Sequence, residues 1–130
     1  TYLDEPTVSR VWDAAKILEL RETALQVPIS EKVQEYAIRV VMSTQPSTEF
    51  AHALTKKYFR YGASPRGAQA LVLGGKVHAL LNGRAEVTVA DVQSVVLPAL
   101  RHRVILNFEG EAERVDPDMI LSAIIKDTPQ

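Results

Sequence analysis

A chain of 130 residues, 46% hydrophobic and 24% charged, fits one soluble globular domain with a core of its own. It contains no cysteine, which excludes a disulfide framework, a cysteine-based zinc site and a thiol nucleophile. A net charge of −1 and a pI near 6.3 exclude a protein that coats nucleic acid through bulk charge.

Thr1 to Thr7 reads as a short extended lead. Ser9 can cap a helix running to about Gln26, with Val11, Trp12, Ala15, Leu18 and Leu25 near one face. That spacing is an amphipathic core stripe, with Trp12 as its anchor. Val27-Pro28-Ile29-Ser30 breaks this helix and caps a second one. Glu31 and Glu35 suit the positive end of its dipole, and Val33, Ala37, Val40 and Val41 supply its apolar face. Gln45-Pro46-Ser47-Thr48 stops it. Glu49 to Tyr61 reads as a loop leading into a short helical segment.

Ser64 then starts a helix expected to reach about Leu81, where Asn82-Gly83 is a C-terminal stop. Ala68, Leu71, Val72, Ala79 and Leu80 or Leu81 are its expected buried residues. Gly74-Gly75 lowers its propensity and permits close packing with another helix. After an extended Val87, Thr88 and Asp91 form a capping-box-like pair that opens a helix to about Leu97. Pro98 kinks or restarts that helix, and Arg101-His102-Arg103 ends it. Val104 to Phe108 reads as a short strand or an irregular apolar segment, and Glu109 to Arg114 as a solvated charge run. Asp116-Pro117 begins a last helix to about Lys126, with Met119, Ile120, Ala123 and Ile124 inward. The fold class expected is all-α: a small bundle of five or six helices with short connectors and little or no strand.

The chemistry concentrates at the Ser64 helix start. Ser64 is a good N-cap, and Pro65 suits the first helical position because its missing N–H costs nothing there. Arg66 follows in the first turn, beside the positive end of the dipole, where a cation is unfavourable. A local rule broken at a well-formed helix start points to function. A helix N-terminus with a guanidinium makes an anion-binding corner suited to a phosphate, unless Arg66 simply points back into water. Charge supports the corner. Residues 50–85 contain no acid and carry Lys56, Lys57, Arg60, Arg66, Lys76 and Arg84, a charge of +6. Residues 1–49 carry −3 and residues 86–130 carry −4. A basic middle between acidic flanks suggests a local polyanion site.

Other motifs fail on their own terms. Gly74-Gly75-Lys76 resembles the end of a P-loop, but Ala70 stands where the motif needs glycine and Val77 where it needs Ser or Thr. His52, His78 and His102 are far apart, with no HExxH spacing for zinc. Glu109, Glu111 and Glu113 alternate in a charge run rather than in a calcium loop. No nucleophile is paired with a base. Lys56-Lys57-Tyr58-Phe59-Arg60-Tyr61 interleaves bases with aromatics as single-strand binders do, but the pI near 6.3 and the use of aromatics in a core count against that reading.

The second half resembles the C-terminal lid of MoxR-type AAA+ ATPases. The resemblance rests on Tyr61-Gly62-Ala63-Ser64-Pro65-Arg66-Gly67, Gly83-Arg84, Val87-Thr88, Asp91-Val92, Pro98-Ala99-Leu100-Arg101-His102-Arg103 and Phe108-Glu109-Gly110-Glu111-Ala112-Glu113. It covers residues 58–127 well and 15–44 more loosely. It implies that residues 1–130 are one lid domain excised from a chain that carries the ATPase core, since no P-loop or Walker B strand is present. It further implies that Arg66 is the sensor-2 residue reaching the phosphates of ATP, with Ser64 and Pro65 beside it, and that the missing core holds the Mg²⁺. The implied partners are the ATPase core, neighbouring subunits of a ring, and proteins with a von Willebrand A-type domain; the parent would hydrolyse ATP for chaperone-like remodelling. Arg101 and Arg103 fit either a subunit contact or carbonyl capping at a helix end. With no bilayer-length apolar run and no signal-peptide pattern, a cytoplasmic location is expected, with no membrane contact and nucleic acid an unlikely partner. The competing expectation is a free-standing helical module that binds protein or single-stranded nucleic acid through its basic middle.

Overall fold

The structure, a computed structural model, describes residues 7–130; most of the expected N-terminal lead lies outside them. The described residues form seven helices and one two-stranded ribbon, in the order α1 (Ala14–Gln26), α2 (Glu31–Ser43), α3 (Ala53–Tyr58), β1 (Phe59–Tyr61), α4 (Pro65–Leu81), α5 (Val89–Leu100), β2 (Ile105–Leu106), α6 (Phe108–Ala112) and α7 (Pro117–Asp127). The helical bundle is the expected one. β2 falls in the segment expected as a short strand or irregular stretch, Val104 to Phe108; the additional short features are its antiparallel partner β1, with Phe59 opposite Leu106, and α6.

The centre is α4 packed along α5, and glycine makes the approach possible. A Cβ on Gly74 would lie 3.2 Å from Val95, and one on Gly75 would lie 3.2 Å from Val87. Val92, Val96 and Leu100 of α5 and Leu71 and Ala79 of α4 are buried in this seam. Tyr36, Ala37 and Val40 of α2 and Ile120, Leu121 and Ile124 of α7 close the core around it. Val87 is extended, as expected, and bridges Ile29 in parallel. Pro98 does not break α5; it sits on the exposed face, where losing one helical hydrogen bond leaves the Ser94 carbonyl open to water.

The first helix departs from expectation. It begins at Ala14, capped by Asp13, whose Oδ1 accepts from the Lys16 N–H at 2.8 Å. Ser9 caps nothing, because Val8, Val11 and Trp12 are weak helix formers and a better-placed carboxylate follows them. Trp12 is therefore not a core anchor: it is 57% exposed. Leu18 and Leu25 are also largely exposed, and Ala24 is the one buried residue of α1. With Leu73, Val77 and Leu80 of α4, Trp12, Ile17 and Leu20 border an open apolar groove of about 610 Å³. In α4 and α7 the inward predictions hold for Leu71, Ala79, Ile120 and Ile124, while both Leu80 and Leu81, and Met119, are exposed.

Candidate functional site

The loop before α4 is tied down on one side and open on the other. Gly62 passes so close to the end of α2 that a Cβ there would lie 2.1 Å from the Thr44 carbonyl oxygen, which only glycine permits. Ala63 is fully buried. Its N–H donates to Thr44 Oγ1 at 2.9 Å and its carbonyl accepts from Gln45 Nε2 at 2.6 Å. Ser64, the N-cap, and Pro65, at the first helical position, are exposed. The Ser64 hydroxyl does not cap the helix as its residue type suggests. Instead its carbonyl accepts from the Gly67 N–H at 2.7 Å, closing the first turn through the backbone.

Arg66 is exposed at this helix start and forms no ion pair with a carboxylate among the described residues. Its own N–H finds no acceptor there either. The corner thus offers a guanidinium, a free backbone N–H and the positive end of a 17-residue helix, with no acid among residues 50–85 to compete. The start of α4 meets the end of α5, since a Cβ on Gly67 would lie 3.1 Å from Leu100. Arg101-His102-Arg103 therefore belong to the same end of the helix pair. Arg101 pairs with Asp118 in the first turn of α7 at 2.7 Å, and Arg103 Nε donates to the Ala99 carbonyl at 3.0 Å. The carbonyl-capping role is thus seen for Arg103.

The rest of the basic stretch is largely consumed by structure. Lys57 lies within 3.4 Å of Glu109. Lys76, the lysine of the false P-loop, donates to the Leu25 carbonyl at 2.8 Å and so caps the end of α1. Arg60 stacks over the Tyr61 ring at 5.2 Å.

The densest polar cluster lies at the other end of α4. Gly83, at φ 67°, turns the chain so that Arg84 folds back onto Asp91, which is fully buried. Arg84 makes a bidentate pair with the carboxylate. His78 Nδ1 lies 2.8 Å from it, and the Thr88 N–H and hydroxyl donate at 2.8 and 2.7 Å. Burial works to raise the Asp91 pKa. The hydrogen bonds from Arg84, His78 and Thr88 overcome it and hold the carboxyl well below its ordinary range. Only the Thr88–Asp91 half of this cluster has a sequence signal, the capping-box spacing. Arg84 and His78 join it through the turn at Gly83.

His52 borders a groove of about 470 Å³ with Ser43 and Asp127. Its Nδ1 accepts from the Leu54 N–H at 3.2 Å and its Nε2 lies 3.0 Å from Asp127, so neither nitrogen is left to serve Ser43 as a base. Among the described residues no three metal-ligating side chains gather in one place, and no helix is long and apolar enough to cross a membrane.

Residues 51–124 match the AAA lid domain family. Chaperone MoxR1 of Mycobacterium tuberculosis is 26% identical over 121 residues, covering 93% of this chain and 32% of that protein. Protein MoxR of Paracoccus denitrificans is 38% identical over 69 residues, covering 52% of this chain and 20% of that protein. The crystal structure of a candidate ATPase from Cytophaga hutchinsonii superposes with a TM-score of 0.82 at 34% identity, covering 88% of this chain and 35% of that one. The chain thus spans between 20% and 35% of the length of these proteins.

Proposed function

The chain belongs to the AAA lid domain family, is of MoxR type, and from this we propose that it closes over a nucleotide and presents Arg66 to its phosphates as a sensor-2 residue. Residues 1–130 are in this reading one lid domain of a longer ATP-hydrolysing chain. The observation that carries the assignment is the state of Arg66 itself: exposed, without an ion-pair partner among the described residues, and set against the helix dipole on a loop fixed from behind.

The residues fit a phosphate. A guanidinium is planar, always charged and weakly hydrated, and its fork matches two phosphate oxygens. The Arg66 N–H and the helix end add a second donor and a fixed partial charge. Pro65 has no N–H to leave unpaired and Ser64 keeps its hydroxyl for the ligand side. ATP supplies the transferable phosphoryl group, whose negative charge spreads over its oxygens during transfer. A guanidinium held beside that charge needs no reorganisation to stabilise it. Mg²⁺ and the attacking water fall to the ATPase core of the same chain. The contact with the neighbouring subunit of a ring belongs to the same end of α4 and α5, where Arg101 and Arg103 have guanidinium N–H groups beyond those used within the chain. Remodelling of partner proteins, including those with von Willebrand A-type domains, completes the reading.

One arginine and one helix end give weak affinity, so the 130 residues alone should bind ATP with a Kd of about 1 mM or weaker. Calorimetry that found micromolar binding would place a complete site within this chain. In the full-length protein, Arg66→Ala should lower ATP turnover on the order of 10²-fold. Unaltered turnover removes Arg66 from the site.

A further inference from the structure

We propose that Thr44 and Gln45, at the end of α2, are positioning residues for Arg66. The proposal rests on the reading of Arg66 as the phosphate-contacting group. Both backbone polar groups of Ala63 are taken by these two side chains, the N–H by Thr44 Oγ1 and the carbonyl by Gln45 Nε2. The Thr44 hydroxyl donates its own hydrogen to the Val41 carbonyl at 2.6 Å, so a lone pair is left facing Ala63 and the direction of the contact is fixed. Thr44 and Ala63 are both fully buried, which keeps water from substituting for the Thr44 hydroxyl, and Gln45 is half-buried. Gly62 removes the remaining freedom by resting on the Thr44 carbonyl.

Two residues separate Ala63 from Arg66, and one is Pro65, whose φ is set by its ring. The place and direction of the Arg66 Cα–Cβ bond are therefore inherited from the end of α2 with few free backbone torsions between. Burial of Ala63 requires partners for its N–H and carbonyl, and α2 and α4 already share the core through Val40, Val41 and Leu71. Drawing both partners from side chains at the end of α2 also fixes where the loop sits, which a guanidinium that must meet a phosphate needs, since a displacement of about 1 Å can cost on the order of 10²-fold in rate.

The test is a mutant cycle on ATP turnover in the full-length protein, with Arg66→Ala, Gln45→Met and the double variant. Gln45→Met should lower turnover about tenfold in the wild-type background and not at all once Arg66 is gone, because its effect passes through Arg66. As a second line, Thr44→Val should lower turnover and Thr44→Ser, which keeps the hydroxyl, should restore most of it. If Arg66→Ala lowers turnover while Gln45→Met acts by the same factor in both backgrounds, or has no effect, the positioning role is wrong and the Arg66 assignment stands. If Arg66→Ala itself leaves turnover unchanged, both fall together.

Discussion

Arg84 lies just past the C-terminal end of α4 and Arg66 in its first turn, roughly 25 Å apart along one helix. At the first end the guanidinium is locked on a buried carboxylate that also receives His78 and Thr88. At the other end the guanidinium faces solvent, and the hydrogen bonding lies one step back, on the backbone of Ala63. The same side chain thus serves the fold in one place and is left exposed, with no ion pair among the described residues, in the other, where the proposed function gives it a phosphate. Residue type does not separate the two; the fate of the nearest acid does. A turn brings Asp91 to Arg84, whereas residues 50–85 hold no acid near Arg66 in sequence.

The largest effect should come from the closed end. Asp91→Ala removes a fully buried carboxylate, its half of the capping box and the partner of Arg84, and should destabilise the protein by roughly 3 kcal/mol in urea unfolding. A change within experimental error would dissolve the contrast between the two ends. Next comes the seam between them: Gly75→Leu forces a side chain against Val87 and Val92 and should cost about 2 kcal/mol, read from the same unfolding curves.

Acid should act on the closed end in a defined direction. The Asp91 pKa is lower in the folded than in the unfolded protein, so its contribution is fully present above the unfolded carboxylate value of about 4. It is lost progressively as pH falls below that, toward the folded value. The wild type should therefore lose more stability between pH 5 and pH 2, taken as an approximate window, than Asp91→Ala does. Parallel stability curves for the two proteins would count against the assigned network.

Much of this was legible in the chain because it is written locally. Ser64-Pro65 and Asn82-Gly83 punctuate α4, Ser30 and the Val33–Val41 period mark α2, and the Thr88–Asp91 spacing opens α5. The place of Arg66 in the first turn of α4 could be read because the helix start at Ser64-Pro65 is itself local. What escaped depends on contacts far apart in sequence. Trp12 and Leu18 have the spacing of core residues, but no other element of the described residues covers them. β1 is three residues long, too short for alternation to show. α6 was hidden by its glutamates; its start is set by Asn107, whose Oδ1 accepts from the Gly110 N–H at 2.9 Å. The hold of Thr44 and Gln45 on Ala63 spans about twenty residues and leaves no pattern in the sequence.

A smaller effect sharpens the contrast from inside the helix. Lys76→Ala releases one exposed carbonyl at the end of α1 and should cost no more than about 0.5 kcal/mol, with ATP turnover of the full-length protein unchanged. A large loss of turnover would move the phosphate site toward the glycine pair and away from Arg66.

The most direct measurement takes Arg66→Ala in the full-length protein and records its melting temperature and its ATP turnover on the same preparation. An exposed cation that opposes a helix dipole contributes nothing to the fold, so the melting temperature should stay level or rise slightly. Turnover should fall on the order of 10²-fold. Destabilisation by more than about 1 kcal/mol with turnover intact would make Arg66 a structural residue and contradict the assignment.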